Sequence, residues 1–193
     1  MHIEFLVEEI SMRMALENIV PKIIGEEHSF QIHNFRSKQD LLKKLGERLR
    51  AYSRLRVSWE FKIVVLLDED RQDCKALKQT MVNAAKSAGV DDIILHRIVV
   101  EELEAWFIGD VNALRQVFPK IPETISAKVN FRKPDQILGG TWETLDKLLL
   151  QYGYNTGLIK TEAAKEISKF MDIGKNRSPS FNSFKDGLLK LIS

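Results

Sequence analysis

The chain has 193 residues, 44% hydrophobic and 29% charged, a composition that suits one soluble domain able to bury roughly 70% of its unfolded surface. Twenty-nine Lys and Arg oppose 27 Asp and Glu, and a net charge of +2 lacks the excess that by itself announces a nucleic-acid-binding chain. A single cysteine, Cys74, excludes an internal disulfide and a thiolate-rich zinc site and points to a reducing compartment.

The N-terminal apolar run is far too short for a signal peptide and is followed by Glu8-Glu9. The longest apolar stretch, Ile63 to Leu67, has five residues where a membrane span needs about 20. The expectation is a cytoplasmic protein with no membrane partner. In chain order, Ile3 to Val7 predicts a strand, then a helix capped by Ser11 and stopped by Gly25. Ser29 to Phe35 predicts a second strand. Ser37 then caps a helix through about Tyr52, with Leu41, Leu42, Leu45 and Leu49 opposite Lys43, Lys44 and Arg48. Phe61 to Leu67 is nearly continuously apolar, as a central parallel strand covered on both faces must be. A helix from about Gln72 to Ser87 ends at Gly89, and Asp92 to Ile98 gives a fourth strand.

Beyond Val100 the spacing of Leu103, Trp106, Phe107, Leu114 and Val117 is helical, interrupted by Pro119 and Pro122. Asn130 to Gly140 reads as a loop, and Thr141-Trp142-Glu143-Thr144 as a capping box opening the next helix. Helices follow over Thr161 to Met171 and Ser183 to Leu191, separated by a basic loop from Gly174 to Phe181. The fold class expected is α/β: a Rossmann-like, four-stranded, mainly parallel sheet flanked by helices over residues 1–108. A helical extension over residues 109–193 packs on it as part of one structural unit.

In an open parallel sheet, ligands bind beyond the carboxyl ends of the strands. Acids stand there after three strands: Glu8-Glu9, Asp68-Glu69-Asp70, and Glu101-Glu102-Leu103-Glu104. Asp68 and Asp70 share a face if the strand extends that far, and Glu101 and Glu104 share one on a helix. Clustered carboxylates repel unless a cation joins them, and an all-oxygen set favours Mg²⁺ or Mn²⁺ with waters and phosphates completing the shell. Acids at strand ends also cap helices, which explains any one pair alone. Their recurrence at three strand ends favours the metal.

Several motifs carry a resemblance. A strand ending in glutamate (Phe5-Leu6-Val7-Glu8), a later strand ending in Asp-x-Asp (Asp68-Glu69-Asp70) and the βα alternation resemble the toprim domain of topoisomerases, DnaG-type primases and OLD-family nucleases. Asp73-Cys74-Lys75-Ala76-Leu77, Glu102-Leu103-Glu104-Ala105-Trp106 and Arg177-Ser178-Pro179-Ser180-Phe181 are similar to an uncharacterised toprim-like family of bacteria and archaea related to RloB-type proteins. The resemblance implies a toprim-like fold, Glu8 as general acid or base, Asp68 and Asp70 as metal ligands, and Glu101 or Glu104 completing a second metal position. It further implies a Mg²⁺-dependent nuclease of phage defence, acting on DNA or RNA with an ATPase partner protein.

Toprim glutamates are commonly followed by glycine, and a trailing acid often follows; here Glu9 and Met12 occupy those places. That departure motivates the alternative of a catalytically degenerate binding or assembly module. A small phosphotransferase or nucleotide hydrolase is a third reading. Lys175 and Arg177 are further catalytic candidates, suited to holding phosphate. Arg48, Arg50, Arg54 and Arg56 concentrate charge suited to a nucleic-acid backbone. The four histidines lack zinc spacing, the tryptophans read as core anchors, and Cys74 as a small apolar residue. No Walker or Gly-x-Gly-x-x-Gly motif is present.

Overall fold

The computed structural model describes residues 1–137 and 139–193; Leu138, inside the predicted Asn130 to Gly140 loop, lies outside the described residues. Among the described residues, four strands, β1 (His2–Val7), β2 (Ser29–Asn34), β3 (Phe61–Asp68) and β4 (Ile94–Val99), form one all-parallel sheet in the order β2-β1-β3-β4. Helices α1 (Ile10–Ile24), α2 (Lys38–Leu55) and α3 (Cys74–Ala88) connect them. The chain continues through α4 (Glu104–Gly109), α5 (Val111–Val117), three short 3-10 turns, α6 (Thr141–Gln151), α7 (Lys160–Phe170) and α8 (Pro179–Ile192). Among the described residues, no helix is long and apolar enough to cross a membrane.

Strand alternation splits the core into two layers. Leu6, Ile63, Val65 and Leu67 pack under Leu41, Leu45 and Leu49 of α2 and Met81 and Ala85 of α3. Ile3, Phe5, Val7, Val64 and Leu66 face α1 and the C-terminal helices, which share one continuous apolar cluster with the sheet. Covering both faces explains the unbroken apolar run of β3. Lys22, near the end of α1, donates to the carbonyls of Ser168, Lys169 and Met171, so the C-terminal end of α7 is fixed beside the end of α1. The two helices run in the same direction, and the start of α7, Lys160, returns to the carboxyl edge of the sheet.

Helix starts depart from expectation at three places. α1 begins at Ile10, before Ser11, because the Ser11 hydroxyl donates to the Glu9 carboxylate and no side chain caps the first amides. The residues read as a capping box do not cap α6. One of its first amides is served instead from across the fold by Glu102, which accepts from Trp142 N (2.9 Å) and also from the Thr141 hydroxyl (3.2 Å). α8 begins at Pro179, well before the predicted Ser183, with Ser178 as its cap and proline in the first turn. Part of the predicted basic loop is therefore helix. In contrast, Ser37 caps α2 as predicted, accepting from Asp40 N.

Candidate functional site at the carboxyl edge of the sheet

The register places Val7 beside Leu66 and Asp68 beside Val99, so β1, β3 and β4 end at one level and the residues just beyond them meet. Glu8 is 9% exposed, Asp68 5% and Glu104 2%. One Glu8 carboxylate oxygen accepts the backbone N–H of Asp68 at 3.2 Å. Asp68 Oδ1 is buried with no hydrogen-bond partner.

Burial dominates the electrostatics of this group. It pushes Glu8 up to about 7, assisted by the charges of Asp70 and Glu9 and opposed by Lys38 and the Asp68 amide. Asp68 is driven well above the usual carboxylate range, first by burial and then by Glu8, Glu104, Asp70 and Glu9. Glu104 rises to about 7 through burial, with Lys160 opposing. Lys160 is held above its ordinary value by Glu104, Glu102, Glu9 and Asp68, against a desolvation that works the other way. Carboxyl groups from separate strand ends thus act on one another electrostatically, with Lys38 opposing the shift of Glu8 and Lys160 that of Glu104.

Asp70 takes a different place. β3 stops at Asp68, and Asp70 adopts φ 49°, turning its carboxylate to Lys38 Nζ at 2.7 Å. That ammonium, 3% exposed at its side chain, also donates to the Glu69 carbonyl at 3.1 Å. Glu101 likewise precedes α4 and does not share its face with Glu104; its φ is 62°. Asp70, Arg71 and Glu101 are the non-glycine residues with positive φ among the described residues, and all lie in the β3–α3 and β4–α4 loops. The loops are tied together by Asp70 N to the Glu101 carbonyl (3.0 Å) and Glu101 N to the Glu69 carboxylate (3.0 Å). Left-handed backbone costs about 1–3 kcal/mol per such residue and tends to collect at functional sites. With Glu102, Gly140 and Glu143, these residues line a cavity of about 220 Å³.

Lys175 and Arg177 are engaged elsewhere. Lys175 pairs with Asp172 at 3.2 Å, and the Arg177 guanidinium donates to the carbonyls of Ile108 (3.3 Å) and Phe131 (3.4 Å). Neither forms a hydrogen bond or ion pair with Glu8, Asp68 or Glu104. The segment around Arg177 is instead a latch on α4: Ser180 accepts from Trp106 Nε1 (3.0 Å), Asn176 donates to the Trp106 carbonyl (2.8 Å), and Asp135 accepts from the Ser178 hydroxyl (2.6 Å). Phe181 and Phe184 pack on the Trp106 ring at 5.2 and 5.1 Å. The two motifs centred on Trp106 and Arg177 therefore meet each other, and by doing so fix the helix that begins with Glu104.

Lys38 and Lys160 are the site residues that sequence reasoning missed. Both open a helix, where the backbone dipole disfavours a cation, and that misplacement was the available signal. Cys74 donates to the Glu69 carboxylate at 2.7 Å, and burial with that bond pushes its thiol to about 12, so it offers no nucleophile.

Asp68 Oδ1, buried and without a partner, is an oxygen that a proton or a hard cation would satisfy. Among the described residues, no three His, Cys, Asp or Glu side chains converge to hold an ion. Such a cation would take one or two protein carboxylates and fill its shell with water and phosphate oxygens, the habit of Mg²⁺. Residues 7–189 match the family model of a domain of unknown function, DUF4276. No curated protein and no solved structure matches the chain.

Proposed function

For this chain, which belongs to the DUF4276 family of domains of unknown function, we propose a metal-dependent enzyme that cleaves phosphodiester bonds, a nuclease. The observation that carries the reading is the partnerless, buried Asp68 Oδ1, on a carboxyl that the charges of Glu8 and Glu104 push further up, an arrangement that asks for a cation or a proton. Asp68 is the principal ligand, with Glu104 or Glu8 reaching the same ion. Mg²⁺ or Mn²⁺, when bound, supplies Lewis-acid polarisation of a phosphoryl oxygen. Glu8, with a proton affinity near neutrality, takes a proton from the attacking water or returns one to the leaving oxygen. Lys38 and Lys160 offset the carboxylate charge that would otherwise repel a phosphate.

The toprim resemblance of the Glu8 and Asp68-x-Asp70 strand ends supports the same chemistry, and with it come an ATPase partner, a role in phage defence and a cytoplasmic location. A scaffold without turnover is the second reading, favoured by Asp70 being closed onto Lys38 and Glu9 onto Ser11. The test is cleavage of labelled DNA and RNA oligonucleotides with Mg²⁺ or Mn²⁺. Asp68→Asn and Glu8→Gln are expected to slow it by about a hundredfold or more. Absence of metal-dependent cleavage by the wild type, or wild-type rates in both variants, rejects the assignment.

A further inference from the structure

A groove of about 700 Å³ lies along the open edge of the sheet. Its floor is β2, its walls are α1 at Arg13 and α2 from Asp40 to Ala51. Ser29 and Phe35 point their amides at β1, so parallel-strand alternation turns the backbone of Phe30, Ile32 and Asn34 outward to this edge. Four cations line the groove, Arg13, Arg36, Lys44 and Arg48, against Asp40 and Glu47. Lys44 is spent on Asp40 at 2.6 Å and Arg13 on Glu17 at 2.8 Å. Arg36 and Arg48 have no carboxylate within ion-pair distance among the described residues.

Arg48 is held in place all the same. Its guanidinium donates to His33 Nδ1 at 3.0 Å and lies over the Tyr52 ring at 5.6 Å. His33 Nε2 in turn meets the Glu4 carboxylate at 2.6 Å, which also accepts from the Tyr52 hydroxyl at 2.9 Å. A buried acid thus orients an imidazole, and the imidazole aims an otherwise unpaired guanidinium into an open groove. Such a preset cation suits a phosphate.

The groove also leads to the carboxylate edge. Asn34 stands beside Val7 in the sheet, one residue before Glu8. Arg13 donates from its side chain to Asn34 Oδ1 (3.4 Å) and from its backbone to the Glu9 carbonyl (3.2 Å). We infer that this groove carries the phosphate backbone of one nucleic-acid strand to Glu8 and Asp68. The inference rests on the phosphodiester-cleaving reading and makes the substrate single-stranded. A single strand suits a groove that follows one β-strand edge and sets Phe35 beside its cations. Arg36 and Arg48 grip successive phosphates, the outward amides of β2 offer further donors, and Phe35 gives a face for a base.

The test is fluorescence anisotropy of a labelled single-stranded oligonucleotide in EDTA, so that binding is read without turnover. Arg36→Ala and Arg48→Ala are each expected to weaken binding about tenfold and to lower the slope of log K against log salt by about 0.7. Arg36→Glu, on an exposed side chain outside the Glu4 network, is expected to lose more than Arg36→Ala. Unchanged affinity in folded Arg36→Glu and Arg48→Ala overturns the groove, as does duplex binding at least as tight as single-strand binding. If groove-dependent binding is seen and no cleavage follows with either metal, the groove stands and the nuclease reading falls. If cleavage persists while binding ignores Arg36 and Arg48, the groove falls and the carboxylate site stands.

Discussion

Replacing Glu8 with glutamine removes a buried charge while keeping an oxygen to accept the Asp68 amide. Burial carries this carboxyl from 4.5 to about 7. At ~1.4 kcal/mol per pKa unit, ionising it costs the folded state about 3 kcal/mol relative to a solvated carboxylate. Between about pH 4.5 and 7 the folded chain holds a proton that the unfolded chain has lost. Stability from this group therefore falls as pH rises through that window and levels off above it. Glu104, also raised to about 7, acts in the same direction. His96 acts in the opposite one: its buried imidazole is pushed down to about 4, so its contribution to stability grows as pH rises toward 6.5. The clean quantity is accordingly the difference between wild type and Glu8→Gln, measured by urea unfolding in EDTA at pH 5 and pH 8. We expect the variant to gain about 2–3 kcal/mol on the wild type across that interval and to be the more stable protein at pH 8. A difference that stays flat with pH, or a variant less stable than wild type at pH 8, refutes the electrostatic account of the pocket.

Three further outcomes follow from the surrounding contacts. Lys38→Met leaves Asp70 and the Glu69 carbonyl without their donor and is expected to lose about 1–3 kcal/mol in urea unfolding. Gly109→Ala drives its new methyl into the Asn176 carboxamide, which is bonded to the Trp106 carbonyl; we expect about 1–3 kcal/mol of destabilisation in thermal melts and faster proteolysis between residues 174 and 181. Ser178→Ala removes both the cap of α8 and a partner of Asp135, with an expected loss of about 1–2 kcal/mol and unchanged cleavage chemistry at saturating metal.

The sheet was legible because its signals are local. Apolar runs of β-branched residues ended by acids mark β1 and β3, and α2 carries its own cap in Ser37. The same logic put Glu8, Asp68 and Glu104 at the carboxyl edge, where all three are buried, since parallel strands of similar length bring their ends together. It over-reached at Asp70 and Glu101, where regular spacing was extended past Asp68 and ahead of Glu104 into left-handed turns that no periodicity describes. Contacts between distant segments were out of reach. Glu102 caps α6 from outside the helix, and nothing in Thr141 to Thr144 records that. Arg177 reads as a phosphate ligand by type, yet its donors are used on the carbonyls of Ile108 and Phe131. Lys160 comes near Glu104 at the start of α7, whose far end Lys22 ties to α1.

Calorimetric titration of Mn²⁺ at pH 7, repeated in two buffers of different ionisation enthalpy, addresses the buried carboxylates most directly. With Glu8 and Glu104 raised to about 7 and Asp68 raised as well, the ion is expected to bind at one principal site, release at least one proton, and bind far more weakly to Asp68→Asn. Binding that leaves buffer protonation untouched, binding indifferent to Asp68→Asn, or no binding at millimolar Mn²⁺ contradicts it.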